Sequence, residues 1–112
     1  MTPRSMPQEF VQLQTTLDDR EAAEELIRAA VERRLAACGQ LLGPVSSTYW
    51  WNGAIEEAEE WLCVFKTTAA LATSLERWIV ERHPYEVPEV VTVGLAGVSN
   101  TYGEWITDET EE

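Results

Sequence analysis

The chain has 112 residues, the size of one domain, and 45% of them are hydrophobic, which suits a packed core and excludes a disordered polymer. Eight basic residues stand against 20 acidic ones, a formal net charge of −12, and a field of that sign repels phosphate backbones and argues against nucleic-acid binding. No apolar run approaches the length of a membrane span, and the N-terminal MTPRSMPQEF lacks the apolar stretch of a secretory signal, so the expected compartment is the cytoplasm.

In chain order, residues 1–8 read as a loose leader. Glu9 to Thr16 alternates, with Phe10, Gln12 and Gln14 on one side and Val11 and Leu13 on the other, which predicts a first strand. Asp18-Asp19 supplies an N-cap, Glu21, Glu24 and Glu25 follow early, and Ala23, Leu26, Ile27, Ala30, Val31 and Leu35 form an apolar stripe. The spacing predicts a helix over 19–37, with Gly39 soon after its end. Leu41 to Trp51 predicts a second strand, bent near Pro44, with Val45, Ser47, Tyr49 and Trp51 on one face and Ser46, Thr48 and Trp50 on the other.

Asn52-Gly53 signals a hairpin, and Ala54 to Thr67 returns as a third strand. Thr68 to Arg82 predicts a second helix, stopped by His83-Pro84, because the residue before proline avoids the helical region. Val87 to Leu95 gives a fourth strand, and Gly97 to Asp108 holds a short helical segment. The domain spans 9–108, and the acidic DETEE that ends the chain reads as a frayed tail, with 109–112 beyond the domain. The order βαββαβ plus a C-terminal helix predicts an α+β, ferredoxin-like sandwich with both long helices on one face of an antiparallel sheet.

The third strand is apolar on both faces, with Trp61, Cys63 and Phe65 pointing one way and Leu62 and Val64 the other. Two helices cannot cover both faces, and a terminal helix of about ten residues, roughly 15 Å long, covers only part of the second. Burial against other copies of the chain is the expected resolution.

Cys38 and Cys63 lack the spacing of a CxxC or zinc knuckle and read as free thiols, and His83 is the only histidine. No G-x-S-x-G, phosphate-binding loop or paired metal motif is present, so no enzyme is expected. A carboxylate pair such as Glu59 with Glu89 has the chemistry for acid–base work, but nothing in the spacing singles it out.

Several segments together resemble the CutA family of divalent-cation tolerance proteins: Thr15-Thr16, Leu35-Ala36-Ala37-Cys38, Ser47-Thr48-Tyr49-Trp50-Trp51-Asn52-Gly53, Glu59-Glu60, Lys66-Thr67, His83-Pro84-Tyr85-Glu86-Val87-Pro88-Glu89, and Tyr102 with Trp105-Ile106. The resemblance covers 9 to 107 in order, and the HPYE-x-PE run is its specific part. It implies a homotrimer with inward-facing sheets, kinship with PII-like signalling proteins, and a role in tolerance of copper or other divalent cations without an established reaction. In some bacterial members a Cys on the first strand and a second His beside HPY bind copper. Here Gln14 and Arg82 stand in those regions and only His83 of the set remains. The alternatives are a PII-like protein taking a small anion in its inter-subunit cleft, or an interaction scaffold for a partner protein, without direct metal binding.

Candidate site residues follow. Lys66, the only lysine, is either a snorkelling side chain or a cation fixed by Glu59 or Glu89 in the cleft. Tyr85, Glu86 and Glu89 flank prolines and read as a stiff cleft lining or a plain rigid connection. One of Trp50-Trp51 must leave the core, which places Trp51 at the cleft or a subunit contact. His83 is a helix cap or a metal ligand, and Cys38 a small hydrophobe or a soft ligand.

Overall fold

The computed structural model describes residues 9–111; the expected leader 1–8 lies outside them. The elements are β1 (Phe10–Leu17), α1 (Arg20–Glu32), β2 (Cys38–Trp51), β3 (Ala54–Thr68), α2 (Ala72–Arg82), β4 (Val90–Gly94) and α3 (Asn100–Glu109), with a 3-10 turn at Ala69–Leu71 leading into α2. The four strands form one antiparallel sheet in the order β2-β3-β1-β4.

Period-two alternation puts Leu13 and Leu17 of β1 and Cys63 and Phe65 of β3 on one face, where they pack with Ala23 and Leu26 of α1 and Leu75 and Ile79 of α2. Both long helices therefore share a face. Asp19 caps α1, its Oδ2 accepting from the Ala22 amide at 2.9 Å.

Helix α1 stops at Glu32, five residues short of the expected end at 37. Arg34 takes a left-handed φ of 60°, and the Leu35 amide turns back to the Ala30 carbonyl while the Arg34 amide bonds Val31. This is a Schellman stop with arginine where glycine usually sits. Early release of the chain lets β2 begin at Cys38 instead of Leu41. The fourth strand is shorter than expected, Val90–Gly94, because Pro88 lacks the amide a ladder needs.

Helix α3 lies on the opposite sheet face: Ile106 is fully buried, Tyr102 reaches Cys38, and a Cβ on Gly103 would stand 3.0 Å from the Phe10 ring. It covers Val64 and its surroundings but leaves Leu42, Val91 and Val93 exposed. The terminal acidic run does not leave the body at once. Glu109 ends α3 and pairs with Arg34 at 3.0 Å, and the Glu111 amide bonds the Arg34 carbonyl at 2.9 Å.

Strand β1 pairs with β3 only from Trp61 to Thr68. Beyond Trp61, β2 and β3 continue as a two-stranded arm closed by Asn52 and Gly53, whose φ values of 50° and 79° suit a type I′ turn. The register slips between Leu42 and Val45, at the expected bend. Gly43 is needed there: its φ is 153°, and a Cβ would meet the Trp61 ring at 2.7 Å.

Candidate functional site

A cleft of about 850 Å³ opens where the arm leaves the sheet. Its floor and one wall come from β2 and β3. The register pairs Val45 with Glu60, Ser47 with Ala58, Tyr49 with Glu56 and Trp51 with Ala54, so Tyr49, Trp51, Glu56 and Glu60 share one face. The opposite wall is Asp18, just past β1, and the loop after α2 carrying Tyr85, Glu86, Pro88 and Glu89.

Two hydrogen-bonded residues hold that loop in place. His83 Nδ1 accepts the Tyr85 amide at 3.1 Å, which leaves Nε2 to carry the proton and donate it to the Thr16 carbonyl at 2.8 Å. The two rings meet edge to face, with centroids 4.7 Å apart. Burial holds the imidazole below its ordinary 6.5, against the upward pull of the Thr16 bond, Glu60 and Asp18. Tyr85 in turn donates its hydroxyl to Glu60 Oε2 at 2.7 Å. Burial first, then this bond, pushes the Tyr85 phenol well above its ordinary 10, with a smaller contribution from Tyr49.

Glu60 is only 6% exposed. Tyr85 engages one of its oxygens; no Lys, Arg or His pairs with it among the described residues. A buried carboxylate without a counter-charge is costly, so Glu60 marks the chemical centre of the cleft.

The structure brings Trp51, Tyr85, Glu86 and Glu89 together on this cleft. It places Lys66 and Glu59 elsewhere. Lys66 lies on the α3 side of the sheet, opposite Cys38, and donates to Gln40 Oε1 at 3.1 Å. Glu59 pairs with Ser46 on the far face of the arm and lines a smaller hollow of about 330 Å³. Glu89 accepts from Gln14 at 3.1 Å instead.

Both nitrogens of His83 are occupied, so no lone pair is open to a metal in this arrangement. Cys38 Sγ lies 3.6 Å from the Tyr102 hydroxyl, a contact that leads the causes raising that phenol to about 12. Along β3 its partner Lys66 is four positions from Leu62, the partner of Thr16, or about 13 Å from the row where His83 is tied. Arg82 turns back along α2, donating to the Trp78 carbonyl at 3.2 Å with its guanidinium 4.5 Å over the Trp78 ring. No group of three or more His, Cys, Asp or Glu side chains converges in a metal-holding arrangement among the described residues.

The residues that sequence reasoning passed over are Glu60, Glu56, Tyr49 and Asp18. Glu56 and Glu60 belong to no catalytic or metal motif, yet alternation from Leu62 and Val64 already puts them on one face.

A family model described as CutA1 divalent ion tolerance protein matches residues 11–109, which contain every residue of the cleft. The chain belongs to this family. It is 38% identical over 109 residues to mouse protein CutA, covering 97% of this chain and 59% of that protein, and it spans the same 59% of the human protein CutA. It is 36% identical over 98 residues to the divalent-cation tolerance protein CutA of Pyrococcus horikoshii, covering 88% of this chain and 95% of that one. Among solved structures, CutA1 of a psychrotrophic Shewanella superposes with a TM-score of 0.90 at 31% identity, covering 96% of this chain and 100% of that one. CutA1 of Oryza sativa gives 0.89 at 30%, covering 96% and 99%.

Proposed function

We propose that the chain serves tolerance of divalent cations, as a ferredoxin-like homotrimer whose acidic clefts hold cations without catalysing a reaction. The lining of the cleft carries this reading: Asp18, Glu56, Glu60, Glu86 and Glu89 face it, and no Lys, Arg or His lines it among the described residues. Such a cleft concentrates positive ions from solution. Its oxygen donors suit hard cations better than copper, since the softer candidates His83 and Cys38 are engaged elsewhere. Three carboxylates do not converge among the described residues of one protomer, so a tight metal site draws ligands from a neighbouring copy.

The strand order β2-β3-β1-β4 with two helices on one face supports the ferredoxin-like, PII-related architecture. Exposed Trp50 (72%) and Ile55 (61%) on the arm, and Val91 and Val93 on the uncovered sheet face, support the trimer, because assembly buries them. The acidic lining counts against the small-anion alternative, as Lys66 lies outside the cleft. The cytoplasm fits two free cysteines. No helix among the described residues is long and apolar enough to cross a membrane.

The test pairs sedimentation with calorimetric titration by Zn²⁺, Cu²⁺ and small anions. The expected result is a species of three 12.6 kDa chains that takes up divalent cations and loses that uptake in Glu56→Gln. A monomer at micromolar concentration, or uptake of anions alone, would falsify it.

A further inference from the structure

We infer that His83 is a proton-operated latch on the wall of the cleft: neutral, it holds the loop that follows it closed against Glu60, and a proton on Nδ1 lets that wall go. His83 leaves α2 in the extended region, with φ −71° and ψ 136°, because Pro84 follows it. From there Nδ1 accepts the amide of Tyr85, two residues on, at 3.1 Å. Asparagine closes an Asx turn in this way. Here the same closure is made by a side chain that can change its charge.

The turn is anchored on both sides. Nε2 donates to the carbonyl of Thr16 in β1 at 2.8 Å, and the Tyr85 hydroxyl donates to Glu60 Oε2 in β3 at 2.7 Å. The bonds run in series from β1 through the imidazole and Tyr85 to β3, so freeing the Tyr85 amide also loosens the phenol on Glu60. All of them are made inside one protomer and occupy both ring nitrogens, so the latch is complete without a neighbouring copy.

The charged and titratable groups that face the imidazole are Asp18 after β1, Glu60 on β3 and Tyr85 on its own loop; Arg82, its neighbour in α2, turns back over Trp78. Both carboxylates favour the imidazolium, and burial opposes it more strongly, which keeps the ring neutral near pH 7. Once Nδ1 is protonated, the Tyr85 amide loses its acceptor and a positive charge stands beside Asp18 and Glu60. An opened wall and a cation in that place both weaken the hold of the cleft on positive ions. That consequence rests on the divalent-cation reading; the latch itself does not.

His83 is the only histidine, so a single imidazole signal reports on it. The experiment follows its ¹⁵N resonances in the assembled protein from pH 8 to 5, alongside amide-exchange protection at Tyr85 corrected for the intrinsic pH dependence of exchange. The expected result is the Nε2–H tautomer at pH 8 and a titration midpoint below 6.5. Tyr85 protection should fall at least about fivefold around the same midpoint, the equivalent of one neutral hydrogen bond. His83→Asn keeps an acceptor for the Tyr85 amide and carries no titratable group, so its Tyr85 protection should stay level over the same range. An Nδ1–H tautomer, an imidazole still neutral at pH 5, or Tyr85 protection that ignores the imidazole titration overturns the inference. The same pH-dependent loss in folded His83→Asn overturns it too; if that variant does not fold, the coincidence of midpoints in the unaltered protein decides. Calorimetry with ZnCl₂ at pH 7.5 and 5.5 separates the two readings. Zn²⁺ uptake should weaken with acid by a larger factor in wild type than in His83→Asn. Absence of Zn²⁺ uptake with a moving latch removes the cation reading alone, and Zn²⁺ uptake over a motionless loop removes the latch alone.

Discussion

His83 Nε2 donates to the Thr16 carbonyl across 2.8 Å, fastening the loop after α2 to the last turn of β1 before the cleft. Because Nδ1 accepts from Tyr85, only the neutral imidazole satisfies both bonds. Protonation turns Nδ1 into a donor facing another donor.

The pH dependence follows from that tautomer. The folded-state pKa of His83 is depressed below 6.5, so between the two values the unfolded chain binds more protons. This contribution to stability is complete above about 6.5 and is lost as pH falls through the depressed folded value. Urea midpoints measured from pH 8 to 5 should fall in wild type and flatten in His83→Gln; identical pH profiles would remove His83 from the account. The glutamine variant should also lose about 1–2 kcal/mol at pH 8, from one or two neutral hydrogen bonds.

Tyr85→Phe strips the donor from Glu60 Oε2 and leaves a buried carboxylate with nothing on either oxygen from the described residues. The expected loss is about 2–3 kcal/mol, the scale of a hydrogen bond to a charged group. Adding Glu60→Gln should restore part of it, because the charge is gone. Denaturant titration of the two single variants and the double variant measures the coupling, and strict additivity would show that the pair does not interact.

Arg34→Gly separates two roles of one residue. Glycine accepts the φ of 60° without strain, a gain of about 1 kcal/mol. The variant also loses the 3.0 Å pair with Glu109, whose exposed setting limits its worth to about 0.2–1 kcal/mol. Global stability should therefore stay level or rise slightly while α3 loosens. Amide exchange at residues 106–110 should accelerate, and unchanged exchange there would deny Arg34 its hold on α3.

Cys63 is fully buried, and burial pushes its thiol up to about 12, so it stays protonated and inaccessible. A thiol reagent added to the native protein should label Cys38 alone, with the second equivalent reacting only after denaturation. Prompt labelling of both would contradict the packing of β3 against α1.

Much of this arrangement could be read from residue order. Alternation in β1, the Asn52-Gly53 turn and the apolar stripe of α1 each rest on local stereochemistry, and the structure keeps them. The end of α1 was hidden because its stop uses Arg34 in the left-handed region, where the usual signal is glycine. The pairing of Lys66 with Glu59 was a different failure. Residues 59 and 66 have opposite parity on one strand, so they point to opposite faces, and this was available from the sequence. Glu60 was obscured by its neighbours: an acidic run reads as solvated, and its burial comes from the loop at Tyr85, which no local pattern announces.

The arm beyond Trp61 leaves the outer edge of β3 without the β1 partner that covers the rest of that strand. An open backbone rim of that kind invites any passing strand to zip onto it. Glu56, Glu57 and Glu59 sit along that rim, and their mutual repulsion keeps such strands off. Replacing them with apolar residues would lift the guard, and the same rim would then template fibrous aggregates.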